Sequence, residues 1–527
     1  MSIRRWLTPV LLAWLTAWTG LAAAETDGQA LLNNLTERDK AAAVTAIAES
    51  GDPRARRWLE AFADNKLSRM KDSGQFVVVL ENRGRDWTVE GALTGEAIGE
   101  VSRRNLDRVR INNAMRSQIA NTLALLDLTV DDIDQRRQAA GDLRGQVDED
   151  LVGPVETLMN QASDEDVREK LAQALAIYRV EQGDVSAVSV LSGSLNSDAR
   201  SALNGAAGSD DPAMAAAAQE AMASIEQKLK LNKAAETLYF GLSLGSVLVL
   251  AAIGLAITFG VMGVINMAHG ELIMLGAYTS WGMQQLLPGQ PGLALILAIP
   301  AGFLVSAFAG IIIERSVIQF LKGRPLETLL ATFGVSLILQ QLVRTVISPL
   351  NRTVVTPEWM SGSIMINEAL SLTLNRLYII GFALVVFAGL MLVMRRTRLG
   401  LDVRAVTQNR AMARSMGIRA TRVDIMTFAL GSGVAGLAGV ALSQITNVGP
   451  NLGQNYIVDS FMVVVFGGVG NLWGTLVAGL SLGTINQLLE PWAGAVLAKV
   501  VVLVFIILFI QKRPRGLFPQ KGRAAEG

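Results

Sequence analysis

From Leu238 to about residue 511 the chain runs as a succession of apolar segments, at about 238–263, 267–287, 292–319, 327–348, 377–394, 425–445, 457–489 and 494–511. Several exceed the roughly 20 residues that a helix needs to cross a bilayer. Inside hydrocarbon every backbone N–H and C=O must be paired within the protein, which leaves helices and closed barrels, and segments this long select helices. The second half is therefore expected to be a polytopic helical membrane domain. Mean hydropathy is +0.36, yet 18% of residues are charged, and that charge is concentrated in residues 25–237. Two physical classes share one chain.

Residues 1–24 carry Arg4 and Arg5, an apolar stretch from Trp6 to about Leu21, and Ala22-Ala23-Ala24 before Glu25. This is the pattern of a secretory signal with a small-residue cleavage site, and it makes residues 25–230 an exported domain. An uncleaved anchor helix is the alternative reading of the same stretch. Short amphipathic helices dominate the domain: Asp39 to Ser50, a Gly51-Asp52-Pro53 turn, then Arg54 to Ala63. Similar units return at Val167 to Val180 with Val185 to Leu191, and at Ala213 to Leu229 behind Asp210-Asp211-Pro212. Apolar positions recur at three and four, as in an irregular HEAT-like array of helix pairs. One interruption differs: Gln75 to Glu81 and Asp86 to Ala92 flank Asn82-Arg83-Gly84-Arg85 and predict a small β-hairpin. Arg103, Arg104, Arg108, Arg110 and Arg116 read as a solvated helix face, with an anion or partner site as the alternative.

Basic residues orient the membrane half. Arg395, Arg396, Arg398, Arg404, Arg410, Arg414, Arg419 and Arg422 crowd one loop, Lys322 and Arg324 mark a shorter one, and Lys512, Arg513, Arg515, Lys521 and Arg523 mark the tail, in which residues 519–527 follow the last apolar block. All three should be cytoplasmic. An exported start before Leu238 places the first two inside after five and three crossings. The tail joins them only if residues 457–489 return to the side they entered, so a broken or hairpin segment is expected there.

The sequence supplies a reason for such a break. Gly467, Gly468, Gly470 and Asn471 fall in the run Phe466 to Asn471, and an echo, Phe259-Gly260-Val261-Met262-Gly263, occurs in the first long span. Paired glycine-broken segments are one way in which transporters build a solute site near the midplane. Chance helix-packing glycines are the competing explanation. After the echo come Asn266, His269 and Glu271, with His269 the single histidine of the chain. Ionisable groups inside a membrane are costly and usually face a bundle interior or a wet cavity, so these three are candidates for pathway lining or helix-to-helix hydrogen bonds, with an interface turn as the alternative for His269 and Glu271. The basic loop contains a predicted helix from Ala405 to Met416 that Gly417 ends. Ala405, Met412 and Met416 share an apolar stripe suited to a groove on a cytoplasmic partner, or alternatively to a lipid surface.

Several classes are excluded. A net charge of +1 gives no bulk attraction for nucleic acid. With no cysteine and one histidine, thiol chemistry and multi-histidine metal sites are absent, and no metal or cofactor is expected. Gly431-Ser432-Gly433-Val434-Ala435-Gly436 fits G-x-G-x-x-G but lies within an apolar span, where helix packing explains it better than dinucleotide binding. P-loop, zinc-protease and serine-hydrolase motifs are missing, so no catalytic residues are assigned and any ATP hydrolysis belongs to another chain.

The run from Gly254 to Tyr278 resembles the signature of permeases in the branched-chain amino acid importer family. Three further stretches match in order: Arg404 to Gly417, Val465 to Gly474, and Arg513-Pro514-Arg515-Gly516-Leu517-Phe518. The likeness covers roughly residues 236–518, and an exported helical extension before it is similar to the urea-type branch of that family. The resemblance implies an all-α polytopic permease of the inner membrane, a second permease subunit, two cytoplasmic ATPases and a periplasmic solute-binding protein. It also implies that Arg404, Ala405, Asn409, Met412, Met416 and Gly417 belong to a coupling helix seated on an ATPase, although Ala405-Val406-Thr407 stands where a Glu-Ala-Ala run is usual. A small polar solute, urea first and a branched-chain amino acid second, is the implied cargo. Urea carries no charge to read, so its site should offer uncharged donors and acceptors, with Thr258, Asn266, Ser443, Gln444 and Asn471 as candidates. A passive channel with an exported regulatory domain is the reading from another class, since it needs no coupling helix.

Overall fold

The computed structural model describes residues 28–36, 40–81 and 86–518. The signal-like segment and residues 37–39, 82–85 and 519–527 lie outside them. The chain divides into two units, one ending at Lys228 and the other beginning at Leu229.

In the first unit α1 (Lys40–Glu49) and α2 (Ala55–Ala63) precede a sheet of β1 (Leu67–Met70), β2 (Phe76–Glu81), β3 (Asp86–Gly91), β4 (Ala97–Ser102) and β5 (Leu106–Arg108). All pairings are antiparallel, in the order β4-β3-β2-β1-β5, with Val77 opposite Gly91 and Val79 opposite Val89. The expected hairpin is thus the centre of a five-stranded sheet, a correction to an all-helical domain carrying one hairpin. The run Phe76-Val77-Val78-Val79 is unbroken because both faces of β2 are covered. Phe76 and Val78 join Trp58, Phe62 and Ile47 on one side, while Val77 and Val79 join Trp87, Val89 and Leu106 on the other. Arg103 and Arg104 form a 3-10 turn and Arg108 lies on β5, so the Arg-rich stretch before residue 112 is sheet edge rather than helix.

Helices α3 (Asn113–Asp127), α4 (Ile133–Asp142), α5 (Glu149–Gln161), α6 (Glu165–Glu181), α7 (Val188–Leu191) and α8 (Ser197–Ala207) follow. Central α6 packs on α4, α5 and α8. Helix α9 (Pro212–Met262) carries the chain into the second unit.

There the elements are α10 (His269–Leu286), α11 (Pro291–Ser316), α12 (Pro325–Val346), a β6–β7 hairpin (Ser363–Asn367, Leu370–Thr373), α13 (Leu374–Arg396), α14 (Arg398–Gln408), α15 (Arg410–Ser415), α16 (Ala420–Leu442), α17 (Leu452–Gly467) and α18 (Leu472–Lys512). Among the described residues, six helices are long and apolar enough to cross a membrane: α9, α11, α12, α13, α16 and α18. The apolar windows of α9 and α16 are 83% and 72% buried, against 22% for α13 and 17% for α18, so α9 and α16 form the middle of the bundle. Gly431 meets Gly254 of α9, and a Cβ on Gly436 would lie 2.3 Å from the Gly302 carbonyl oxygen of α11. The G-x-G-x-x-G run is a helix-packing surface.

Helix α18 consists of two limbs. Gly494 has φ 74° and ψ 161°, a conformation outside the helical region that glycine adopts readily. The first limb runs antiparallel to α9, with Gly479 against Val249 and Gly483 against Gly245. The second returns along α17, pairing Lys499 with Asp459 at 3.0 Å and setting Phe509 edge-to-face with Phe466, ring centroids 4.9 Å apart. Between α17 and α18 the chain reverses through Gly468 (φ 104°) and Gly470 (φ 80°). Residues 457–489 therefore do form a hairpin, and the second limb brings Arg513 and Arg515 back to the end of the bundle that holds the basic loop.

Candidate functional site

Two helices of the bundle begin partway through it. At about 1.5 Å per residue, α17 spans only about 24 Å and α10 about 27 Å, short of a ~30 Å hydrocarbon core. Each follows a non-helical stretch, residues 443–451 and 263–268. Their first turns meet: a Cβ on Gly453 would lie 1.9 Å from the Gly270 carbonyl oxygen. The stretch that pairs with the first break is thus 443–451. The glycine cluster Gly467, Gly468 and Gly470 is instead the hairpin tip at the basic end, where a Cβ on Gly260 would lie 2.5 Å from Gly470 Cα. Both clusters are real close approaches, but only the first lies beside a broken helix.

The start of α10 is lined with buried polar groups. Asn266 Oδ1 accepts from the Ala268 amide (3.0 Å), and Met267 N–H donates to Thr332 Oγ1 (3.0 Å). The His269 ring lies with Nε2 2.9 Å from the Ala251 carbonyl oxygen, which can only accept, so Nε2 carries the proton. Glu271 Oε1 accepts from Ser336 Oγ (2.9 Å) and Gln340 Nε2 (2.7 Å). Asn266, His269 and Glu271 are 0%, 0% and 1% exposed. Asn266 Nδ2, His269 Nδ1 and Glu271 Oε2 have no protein partner. Each such buried atom costs about 1–3 kcal/mol, so three within six residues mark a site that something other than packing maintains. Thr332, Ser336 and Gln340 of α12 escaped the sequence reading. Their spacing of four on one helix face was the available signal.

The other predicted pathway residues are dispersed. The Thr258 hydroxyl bonds to the carbonyls of Gly254 and Leu255 in its own helix. Ser443 donates to the Val440 carbonyl (2.7 Å) and receives Gln444 Nε2 (3.2 Å), while Gln444 also edges an apolar cavity with Trp359 and Phe382. Asn471 caps α18 at the Gly474 amide (3.1 Å) and donates to the Phe518 carbonyl (3.1 Å).

At the basic end the predicted helix Ala405 to Met416 is two helices. Asn409 (φ −153°, ψ 103°) ends α14, and its side chain accepts from the Met412 amide to start α15. An Asx cap competes with helix continuation, which is why the run breaks there. Gly417, at φ 88°, stops α15 as expected. The stripe divides accordingly: Ala405 packs beside Val403 and Val406, whereas Met412 and Met416 are 61% and 77% exposed. Arg404 donates to the Met394 carbonyl and, with Thr407, Gln408, Asn471 and Trp473, lines a cavity of about 480 Å³ reaching Gly260.

One cluster went unread in the sequence. Asp424 of α16 and Glu314 of α11 are wholly buried, and Lys322 Nζ lies 2.9 Å from each; Arg410 of α15 also pairs with Asp424. Carboxylates at the margins of apolar spans were the signal. The cluster ties the short helix α15 to two helices of the bundle.

A bundle of broken helices with buried polar groups, and a basic-end helix wired into it, is the architecture of a solute carrier subunit. A family model described as branched-chain amino acid transport system / permease component matches residues 237–510. The chain belongs to this family. The permease is 30% identical over 293 residues to the high-affinity branched-chain amino acid transport system permease protein LivH of Salmonella typhimurium, covering 54% of this chain and 94% of the relative. It is 29% identical over 287 residues to the corresponding protein BraD of Pseudomonas aeruginosa, covering 53% and 93%. Ribose import permease protein RbsC of Escherichia coli is 27% identical over 233 residues, covering 42% and 69%. No solved structure matches. This permease is accordingly a multi-pass membrane transport subunit of the ABC importer class and not an enzyme, and permeases of its family work with ATPase and binding-protein partners.

Proposed function

We propose that the chain is the membrane-spanning subunit of an ABC importer for a small polar solute, with urea as the cargo. The observation that carries the solute-path reading is the meeting of two broken helices at Gly270 and Gly453 beside the open polar atoms of Asn266, His269 and Glu271. Half-helix N-termini with free polar groups are suited to holding a solute in a bilayer. The urea assignment is supported by the first unit, which the match to LivH, at 54% of this chain, leaves uncovered. The names of LivH and BraD favour a branched-chain amino acid as the second reading. Residues 25–230 are taken as periplasmic and the Arg395 to Arg422 loop as cytoplasmic, on the signal-like start and the basic loops.

In this reading α15 is the coupling element. Met412 and Met416 share one exposed face, and Arg410 hands its displacement to α16 through Asp424. Closure of the partner ATPases would push α15 and, through the ion cluster, rock α16 and α11 about the broken helices. The test is uptake of labelled urea beside labelled leucine in cells lacking the chain and in the same cells with it restored. Loss of urea uptake alone supports the assignment, loss of leucine uptake moves the cargo to the second reading, and loss of neither refutes both.

A further inference from the structure

At the end of the bundle away from the basic loop lies a second cavity, of about 530 Å³, to which none of the sequence-predicted pathway residues contributes. Its polar lining is dominated by carboxamides from four separate elements: Asn351 after α12, Asn447 after α16, Asn455 in the first turn of α17 and Asn486 on the first limb of α18. Asn351, Asn447 and Asn455 are exposed and form the mouth. Asn486 is 8% exposed and forms the floor, and its Oδ1 is buried with no partner in the protein. A buried carboxamide oxygen without a protein partner is destabilising, so Asn486 is kept beside this cavity at a cost to the fold.

The charges around it argue for a particular class of ligand. Lys499 is committed to Asp459 at 3.0 Å, and Glu490 adds a further carboxylate to the lining, so the cavity is net acidic and has no free cation to receive a carboxylate. A carboxamide offers both N–H donors and a carbonyl acceptor, the same complement that an amide solute presents. We propose that this cavity is a solute-binding site of the permease and that it takes a neutral amide such as urea, with its carboxamides, Asn486 among them, hydrogen-bonding the solute. The site rests on the permease reading given above, and it selects between the two cargoes of that reading.

The experiment measures initial uptake rates of labelled urea and labelled leucine by the complete transporter in cells, for the parent chain, Asn486→Leu and Asn455→Leu, with membrane levels of each chain checked by immunoblot. Asn486→Leu should raise KM for urea roughly tenfold, equivalent to about 1.4 kcal/mol, while the maximal rate stays within about twofold because the floor residue binds and does not gate. Asn455→Leu, at the exposed mouth, should raise KM in the same direction by less, and it decides the matter if Asn486→Leu fails to insert. Unchanged KM for urea in the inserted variants overturns the site. Leucine carried in place of urea, with its KM raised by the same changes, overturns the neutral-amide assignment. A parent chain that carries neither solute refutes both cargo readings on which the site rests.

Discussion

The two units start their helices in different ways. In the first, Asn112, Asp132, Asp148, Asp164 and Asn196 each stand at a helix N-cap with the side chain accepting from an amide one turn in. In the second, α10, α11, α12, α13, α16 and α17 have no side-chain cap, and proline fills the first turn of α11 and α12. Side-chain caps return only at α14, α15 and α18, which begin at Thr397, Asn409 and Asn471 around the basic end. A side-chain cap pairs first-turn amides that the helix itself cannot pair, and most helices of the second unit do without one. Specification moves instead to the distance between helices, and glycine sets that distance.

The sharpest way to break this contrast is to put side chains where glycines stand. Gly436→Val would drive a branched side chain into the Gly302 carbonyl and Ser306 of α11, and the trio α10, α11 and α16 should fail to assemble. The expected outcome is loss of monodisperse protein after detergent extraction. The opposite result is expected at Gly205 of α8, where an added Cβ meets nothing within 4 Å. Gly205→Ala should stabilise its unit by about 0.5–1 kcal/mol through helix propensity alone.

Ion pairs carry the comparison further. Arg56 and Glu60 pair on α2 with about half of each side chain exposed, and Glu60→Gln should change stability by less than about 0.5 kcal/mol. Asp424→Asn removes the shared partner of Lys322 and Arg410 from a wholly buried position. Breaking a buried pair costs about 3–5 kcal/mol. Both cations retain partial access to water, which lowers the expected loss to roughly 2–4 kcal/mol. Thermal unfolding of the purified chain measures both variants, and equal effects would remove the distinction.

Legibility in the sequence follows the same division. Helices α2 and α9 announced themselves through the turns Gly51-Asp52-Pro53 and Asp210-Asp211-Pro212, and apolar length with basic loops was enough to require the hairpin that Gly468 and Gly470 form. Strands β1, β4 and β5 escaped because Leu67–Met70, Ala97–Ser102 and Leu106–Arg108 are short and carry charge, so neither length nor alternation set them apart. The site was half legible. Asn266, His269 and Glu271 stood out as polar residues in an apolar run, but Ser336 and Gln340 acquire meaning only when α12 lies against α10. Asn486 could not be matched with Asn351, about 135 positions away, before the chain had reversed at Gly468–Gly470. The break in 443–451 carried no glycine until Gly449, so the glycine-rich tip attracted the assignment.

The smallest effect tests whether the first unit depends on its caps as argued. Asp164 caps α6 at the Val167 amide (3.1 Å) and receives Arg137 Nη2 (2.8 Å). The hydrogen bond from Arg137, then that from the Val167 amide, holds its carboxyl down at about 2, against an ordinary value near 3.8. A carboxylate held below its unfolded value stabilises the fold above that unfolded value, and the contribution disappears as pH falls from about 4 toward 2. Hydrogen exchange at the first-turn amides of α6, corrected for the intrinsic effect of pH, should therefore accelerate across that window in the full chain. In Asp164→Asn the amide can still cap but cannot titrate, so the same amides should lose their pH dependence while keeping most of their protection. Equal acceleration in both proteins would show that acid acts elsewhere in the unit. First-turn amides of α12, which has no side-chain cap, should show no change over the same window.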